Sequence, residues 1–193
     1  MTRYAAGDDA ALGEVYDRLA PQLLGFLRRM SRDAALAEDL THETFLRIVR
    51  ARGLYRPGAD VRAWSYAIGR RLFLDSIRAR KRVVSSLDDP GARERPSDPG
   101  FPSPEARADD QLVATRLAES IERVLAAIPE SQATAFRLLK QEGMSVAEAA
   151  LVVGATETSV KLRAHRAYEA IRDALGAAWD LPERRPATRR ETS

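Results

Sequence analysis

The chain has 193 residues, 45% of them hydrophobic but only 6% aromatic, and a net charge of +3, enough for one domain or two small ones built on Leu, Ala, Ile and Val. It has no cysteine, which excludes disulfides and thiolate metal sites, and its two histidines, His42 and His165, lie too far apart in sequence to suggest a shared metal. No apolar run suggests a transmembrane span and no signal peptide opens the chain, so the expected location is cytoplasmic.

Residues 1–82 read as helix almost throughout. Asp8 or Asp9 can cap a first helix reaching about Ala20, with Leu12, Val15, Tyr16 and Leu19 on one face. Pro21 is expected to interrupt it or to start the next turn, and Leu23, Leu24 and Leu27 continue the apolar pattern. Ser31 or Asp33 opens a helix running to about Arg52, in which Leu36, Leu40, Thr44 and Ile48 recur at intervals of four and form a buried seam. The other face carries Asp39, His42, Glu43 and Arg47, a pattern that by itself describes an ordinary solvated surface.

Residues 53–60 form a loop marked by Gly53, Pro57 and Gly58, with Tyr55 and Arg56 near its tip. Asp60 can cap the helix that follows. Trp64, Ile68, Phe73 and Ile77 supply its core face. Seven cations (Arg62, Arg70, Arg71, Arg78, Arg80, Lys81 and Arg82) against one acid, Asp75, give it the asymmetry of a surface that tracks phosphates. Tyr55, Trp64 and Tyr66 are aromatic groups on which unpaired bases could stack, although a core role is the more ordinary one for Trp64 and Tyr66.

From 83 to 107 the pattern breaks. Five of the ten prolines fall between Pro90 and Pro104, among glycines, serines and mixed charges, which is the composition of a flexible linker. Beyond it comes an amphipathic helix from about 109 to 127, with Leu112, Leu117, Ile121, Val124 and Leu125 apolar. After Pro129 a second helix carries Phe136, Leu138 and Leu139 and ends at Gly143.

Residues 143–166 then read as a helix-turn-helix. Ser145 and Glu148 form a capping box, and Ala147, Ala150 and Leu151 repeat at helical spacing, with Ala150 small enough for helices to cross there. Gly154 supplies the positive φ of a sharp turn, and Thr156 caps the second helix. Val160, Ala164, Ala167 and Ile171 mark its buried stripe. Thr158, Ser159, Lys161, Arg163 and Arg166 fall outside that stripe and suit phosphates and base edges in a major groove. The C-terminal stretch is polar and arginine-rich and is expected to be disordered.

Two pieces of the chain resemble one family together. The stretch AEDLTHETFLRIVRA, the Pro/Gly loop and RAWSYAIGRRLFLDSIRARKR resemble region 2 of bacterial RNA polymerase sigma factors. The stretch IPESQATAFRLLKQEGMSVAEAALVVGATETSVKLRAHRAYEAIRDAL resembles their region 4. The order and the linker are similar to those of the extracytoplasmic-function (ECF) group of the sigma-70 family.

The resemblance implies an all-α chain of two small helical domains. These are a region 2-like bundle at 1–82 and a region 4-like helix-turn-helix domain at 108–178, with the flexible linker at 83–107 and a disordered tail at 179–193. It implies that Asp39, His42, Glu43 and Phe45 contact the β′ clamp helices of core RNA polymerase. Tyr55, Arg56, Arg62, Trp64, Arg70, Arg71 and Arg78 would bind the melted −10 promoter element. Thr158, Ser159, Lys161, Arg163 and Arg166 would read the −35 element, with region 4 also packing on the β flap. Gly69 and Arg71 depart from the residues common in relatives at those positions. An anti-sigma factor, often membrane-bound in such systems, is the expected further partner. No catalysis, cofactor, metal or small-molecule substrate is expected: no Gly-rich phosphate loop or nucleophile–base set is present. The rival expectation is a polymerase-independent helix-turn-helix regulator, which would read two half-sites as a dimer.

Overall fold

The computed structural model describes residues 1–86 and 108–179. Most of the linker expected at 83–107, and the tail from 180 onward, lie outside the described residues. The order of elements is α1 (Thr2–Ala5), α2 (Ala10–Ser31), α3 (Ala34–Arg50), a 3-10 turn (Arg52–Leu54), α4 (Val61–Ser86), α5 (Ala108–Ala127), α6 (Glu130–Phe136), a π-helical turn (Arg137–Gln141), α7 (Val146–Val153) and α8 (Glu157–Trp179). The described residues contain no strand, and none of their helices is long and apolar enough to cross a membrane.

Local chemistry sets most of the boundaries. The Asp8 carboxylate accepts from the Ala11 amide at the start of α2. Asp33 caps α3 by accepting from the Leu36 amide at 3.0 Å. Asp60 accepts from the amides of Arg62 and Ala63 at the start of α4. Each side chain satisfies an N–H that has no partner inside its helix. Pro21 does not break the first helix: α2 runs unbroken from Ala10 to Ser31. Asp17 and Pro21 both lie on the exposed side, where water can take the Asp17 carbonyl that loses its donor.

Helices α2, α3 and α4 pack around Leu23, Phe26, Leu27, Ile48 and Tyr66, all fully buried. Each large apolar side chain buried in this way contributes about 1.5–3 kcal/mol. Leu40, Thr44 and Ile48 form the expected seam of α3, with Leu36 half-buried at its end. The buried hydroxyls of Thr41 and Thr44 donate to the Ala37 and Leu40 carbonyls, both at 2.7 Å, so neither leaves an unsatisfied polar group. Gly69 sits where α4 crosses α2 and α3. A Cβ there would lie 3.2 Å from both Leu23 Cδ1 and Thr44 Oγ1, so close helix approach explains a glycine that helix propensity disfavours.

The second half follows the helix-turn-helix pattern. Both hydrogen bonds of the Ser145/Glu148 capping box are made, Gly154 ends α7 with φ 65°, and the Thr156 hydroxyl accepts from the Ser159 amide. Hydrogen bonding to Ser145 holds the Glu148 carboxyl down to about 2, against an ordinary 4.5. Because the folded value is the lower one, the box stabilises the fold above pH 4.5 and fails as the pH falls toward 2. Glu148→Ala is expected to cost about 1 kcal/mol at neutral pH and to remove that acid-side dependence. A pH series of thermal melts of both proteins checks it, and parallel pH profiles would exclude the assignment.

One expectation for α7 is corrected. Its buried residues are Ala149 and Val152, whereas Ala147 and Leu151 are exposed and Ala150 is half-buried. The segment VAEAALVV is apolar nearly all round, so spacing alone cannot fix its rotation about the axis. The stripe of α8 is as expected, with Val160, Ala164, Ala167 and Ile171 buried.

The two halves do not stand apart. Leu138, Met144, Ala149, Val152 and Val160 belong to the same apolar cluster as Leu23, Phe26 and Tyr66, and α7 lies against α4. A separate small cluster of Leu125, Ala133, Ala167 and Ile171 holds α5, α6 and α8 together.

Candidate functional site

Helix α8 presents its polar face because its apolar stripe is seated on α6 and α7. Thr158, Lys161 and Arg166 are exposed, and Ser159 and Arg163 are half-buried. Lys161 and Arg166 make no ion pair among the described residues, so both charges are available to an anion. Two neighbours complete this face. Leu162 is 48% exposed, and His165, which lies within 3.4 Å of Glu169, stands four residues beyond Lys161. His165 was absent from the expected set, although its spacing places it on the face of Lys161 and Leu162.

In the first half of the chain, the surface around α4 divides in two. Tyr55 and Trp64 pack together, with ring centroids 5.6 Å apart. The Tyr55 hydroxyl donates to the Ala59 carbonyl at 2.6 Å, which fixes the loop against the start of α4. Arg56, Arg71 and Arg78 are exposed, Arg78 pairing with Asp75 at 3.1 Å.

Arg62 and Arg70 are turned elsewhere. Arg62 donates to the Glu142 carbonyl, and its guanidinium lies 3.8 Å from the Glu142 carboxylate. Arg70 lies 3.4 Å from Glu130. In this conformation both are engaged by the second half of the chain. Tyr66 is fully buried and donates to Glu142 at 2.7 Å, so it is a core residue and not a stacking platform. Burial first, and then the Glu142 carboxylate, push the Tyr66 hydroxyl well above its usual range.

On α3, Asp39 and His42 are exposed, and Glu43 is half-exposed, paired with Arg47 at 3.0 Å. Phe45 differs from the expectation of a contact residue. It is 6% exposed and packs on Tyr16 with ring centroids 4.7 Å apart. The ring follows the apolar seam inward and packs inside the bundle. Tyr16 and Val49 are 44% and 40% exposed and supply the apolar surface there instead. Sequence spacing assigns Tyr16 to the buried stripe of α2, but it sits at the edge of that stripe.

The sequence pattern of sigma-70 region 2 matches residues 15–83, and that of sigma-70 region 4 matches residues 118–171. The first spans α2 to α4 and the second the helix-turn-helix with part of α5. The chain is 33% identical over 176 residues to RNA polymerase sigma factor CarQ of Myxococcus xanthus, covering 91% of this chain and 95% of that one. It is 31% identical to ECF RNA polymerase sigma factor SigF of Caulobacter vibrioides, over 92% and 93% of the two chains. The chain belongs to the ECF sigma factors.

The fold of this sigma factor agrees. It is similar to the sigma factor RpoE in complex with the anti-sigma factor NepR from Bartonella quintana, with TM-score 0.71, 23% identity and coverage of 85% and 96%. It is also similar to CnrH in complex with the cytosolic domain of CnrY, with TM-score 0.63, 23% identity and coverage of 91% and 94%. The relatives are sigma factors, which direct a polymerase and catalyse nothing themselves.

Proposed function

We propose that this sigma factor divides its work between its two halves, with residues 1–82 seating it on core RNA polymerase and reading the melted −10 element. Residues 108–178 read the −35 element as duplex. Asp39, His42 and Glu43 form the polymerase contact on α3, backed by Phe45. Tyr55, Arg56, Trp64, Arg71 and Arg78, joined by Arg62 and Arg70 once these are released, hold the displaced single strand. Unstacking a base costs a few kcal/mol, and stacking on an aromatic returns about 1–3 kcal/mol per base. Thr158, Ser159, Lys161, Arg163 and Arg166 enter the major groove. The chain acts in the cytoplasm, without catalysis or cofactor, and an anti-sigma factor holds it inactive until a signal arrives. That last partner is carried over from the anti-sigma complexes of the two similar structures.

The observation that carries this reading is the pair of region matches, in order on one chain, with unpaired cations along the exposed face of α8. The test is size-exclusion chromatography with bacterial core RNA polymerase. Wild type is expected to co-elute, and Asp39→Arg combined with Glu43→Arg to elute alone while remaining folded by circular dichroism. Wild type that elutes alone yet still shifts duplex DNA would instead identify a conventional regulator.

A further inference from the structure

The loop that follows α3 is held to the bundle unevenly. Its later limb is closed on α4 by the Tyr55 hydroxyl on the Ala59 carbonyl, the Tyr55 ring on Trp64 and the Asp60 cap. Its earlier limb, the 3-10 turn Arg52–Leu54, buries no side chain, and Leu54 is 81% exposed. Apolar packing therefore does not hold this limb. The N-terminal segment meets it instead. The Arg52 guanidinium carbon lies 4.4 Å from the centroid of the Tyr4 ring, and Arg52 Nη1 donates to the Asp9 carboxylate at 2.6 Å.

These two contacts restrain one group from two sides. The guanidinium sits over the ring, and one of its edge nitrogens meets the carboxylate, an arrangement a planar cation can satisfy at once. Tyr4 is itself anchored, being only 3% exposed. Gly7, at φ 115°, makes the turn between α1 and α2, a conformation that residues with a side chain rarely adopt. Arg3 ties the same segment together and to α2, through Asp8 at 2.7 Å and Glu14 at 3.0 Å. Residues 1–9 are thus built onto the bundle, and they grip the loop on the limb that its own contacts leave loose.

We propose that residues 1–9 act as a clasp on the −10-reading loop, with Arg52 as the positioning residue that Tyr4 and Asp9 hold in place. The link to −10 DNA rests on the functional reading above; the clasp itself does not. A loop that must receive a base drawn out of its stack binds it best when already in shape, because ordering the loop during binding subtracts from affinity. Arg52 acts here through the loop and not through a phosphate, since its charge is closed on Tyr4 and Asp9.

Two measurements separate the clasp from its use. The chain has two tryptophans, so in a Trp179→Phe background acrylamide quenching of Trp64 in the full chain reports whether Tyr55 and its loop still cover that ring. Holoenzyme assembled from core RNA polymerase and each variant is then titrated with a fluorescein-labelled single strand, the one that wild type selects most tightly from a pool randomised over the −10 element. Tyr4→Leu, which keeps apolar bulk without a ring, and Asp9→Asn are each expected to raise the quenching and to weaken strand binding by about two- to fivefold, the range of one cation–π contact or one exposed ion pair. Tyr4→Phe is expected to keep wild-type values in both, and −35 duplex binding to stay unchanged throughout, which a general loss of folding would not allow. Arg52→Ala is expected to leave the salt slope of strand binding unaltered, because no phosphate contact is lost. Unchanged quenching in Tyr4→Leu and Asp9→Asn would overturn the clasp. Raised quenching with unchanged strand affinity would overturn its role in DNA reading, as would an Arg52→Ala slope lowered by about 1, the mark of a direct phosphate contact. If wild-type holoenzyme selects no strand, the −10 reading of this loop fails, while the quenching still judges the clasp.

Discussion

Phe26→Ala is expected to cost about 3–5 kcal/mol and to bring down the unfolding of both halves together. Phe26 has no exposed surface and packs on Tyr66 with ring centroids 4.9 Å apart. Tyr66 in turn reaches Glu142, and the same apolar cluster extends to Leu138 and Val152. Truncation therefore leaves a cavity between α2 and α4 and also loosens the platform on which α7 rests. Chemical unfolding followed by circular dichroism and, in a Trp179→Phe background, by Trp64 fluorescence checks this, since coincident, shifted curves are expected. A separate transition for the second half, unmoved by the substitution, would show that the halves fold independently.

Lys161→Ala and Arg166→Ala are each expected to weaken binding to −35 duplex DNA by roughly 10- to 100-fold, the range for one base- or phosphate-reading cation. Removing one phosphate-binding cation also lowers the slope of log affinity against log salt by about 1. Neither residue touches the core: both are exposed, and the buried side chains of α8 are Val160, Ala164, Ala167 and Ile171. Stability and core-polymerase binding should stay at wild-type values. Fluorescence anisotropy over a salt series decides the matter, and a double variant that keeps its affinity and its discrimination for −35 sequence would place the recognition surface elsewhere.

The parts of this fold that are legible in the sequence are those fixed by short-range chemistry. The Ser145/Glu148 box, the Gly154 turn and the Thr156 cap each involve groups a few residues apart, and all are present as read. The α8 stripe is legible because polar and apolar residues separate cleanly along it. The rotation of α7 is not, because its residues are apolar on nearly every side. Phe45 and Tyr16 exchange expected roles for a related reason: spacing gives the centre of a stripe but not its edges. Pro21 misleads because an exposed helix face can leave a carbonyl to water. Gly69 looks like a weakness on propensity alone, and its reason lies in Leu23 and Thr44 on two other helices. Least legible is the closure of the two halves, which joins Arg62 to Glu142 across 80 residues of sequence and Arg70 to Glu130 across 60. No local pattern records pairings of that range.

The common core also bears on how such proteins can be recombined. Region 2 and region 4 match as separate sequence units, which invites exchanging one unit between relatives to build sigma factors of mixed promoter preference. In this chain Leu138, Met144, Ala149 and Val152 are fitted to the surface of α2 and α4. A transplanted region 4 that brings its own residues at those positions, or lacks a carboxylate at the position of Glu142, would read its −35 element from a partner it no longer fits. The workable unit of exchange is therefore the α8 face alone, from Thr158 to Arg166, grafted onto a scaffold that keeps its own interior.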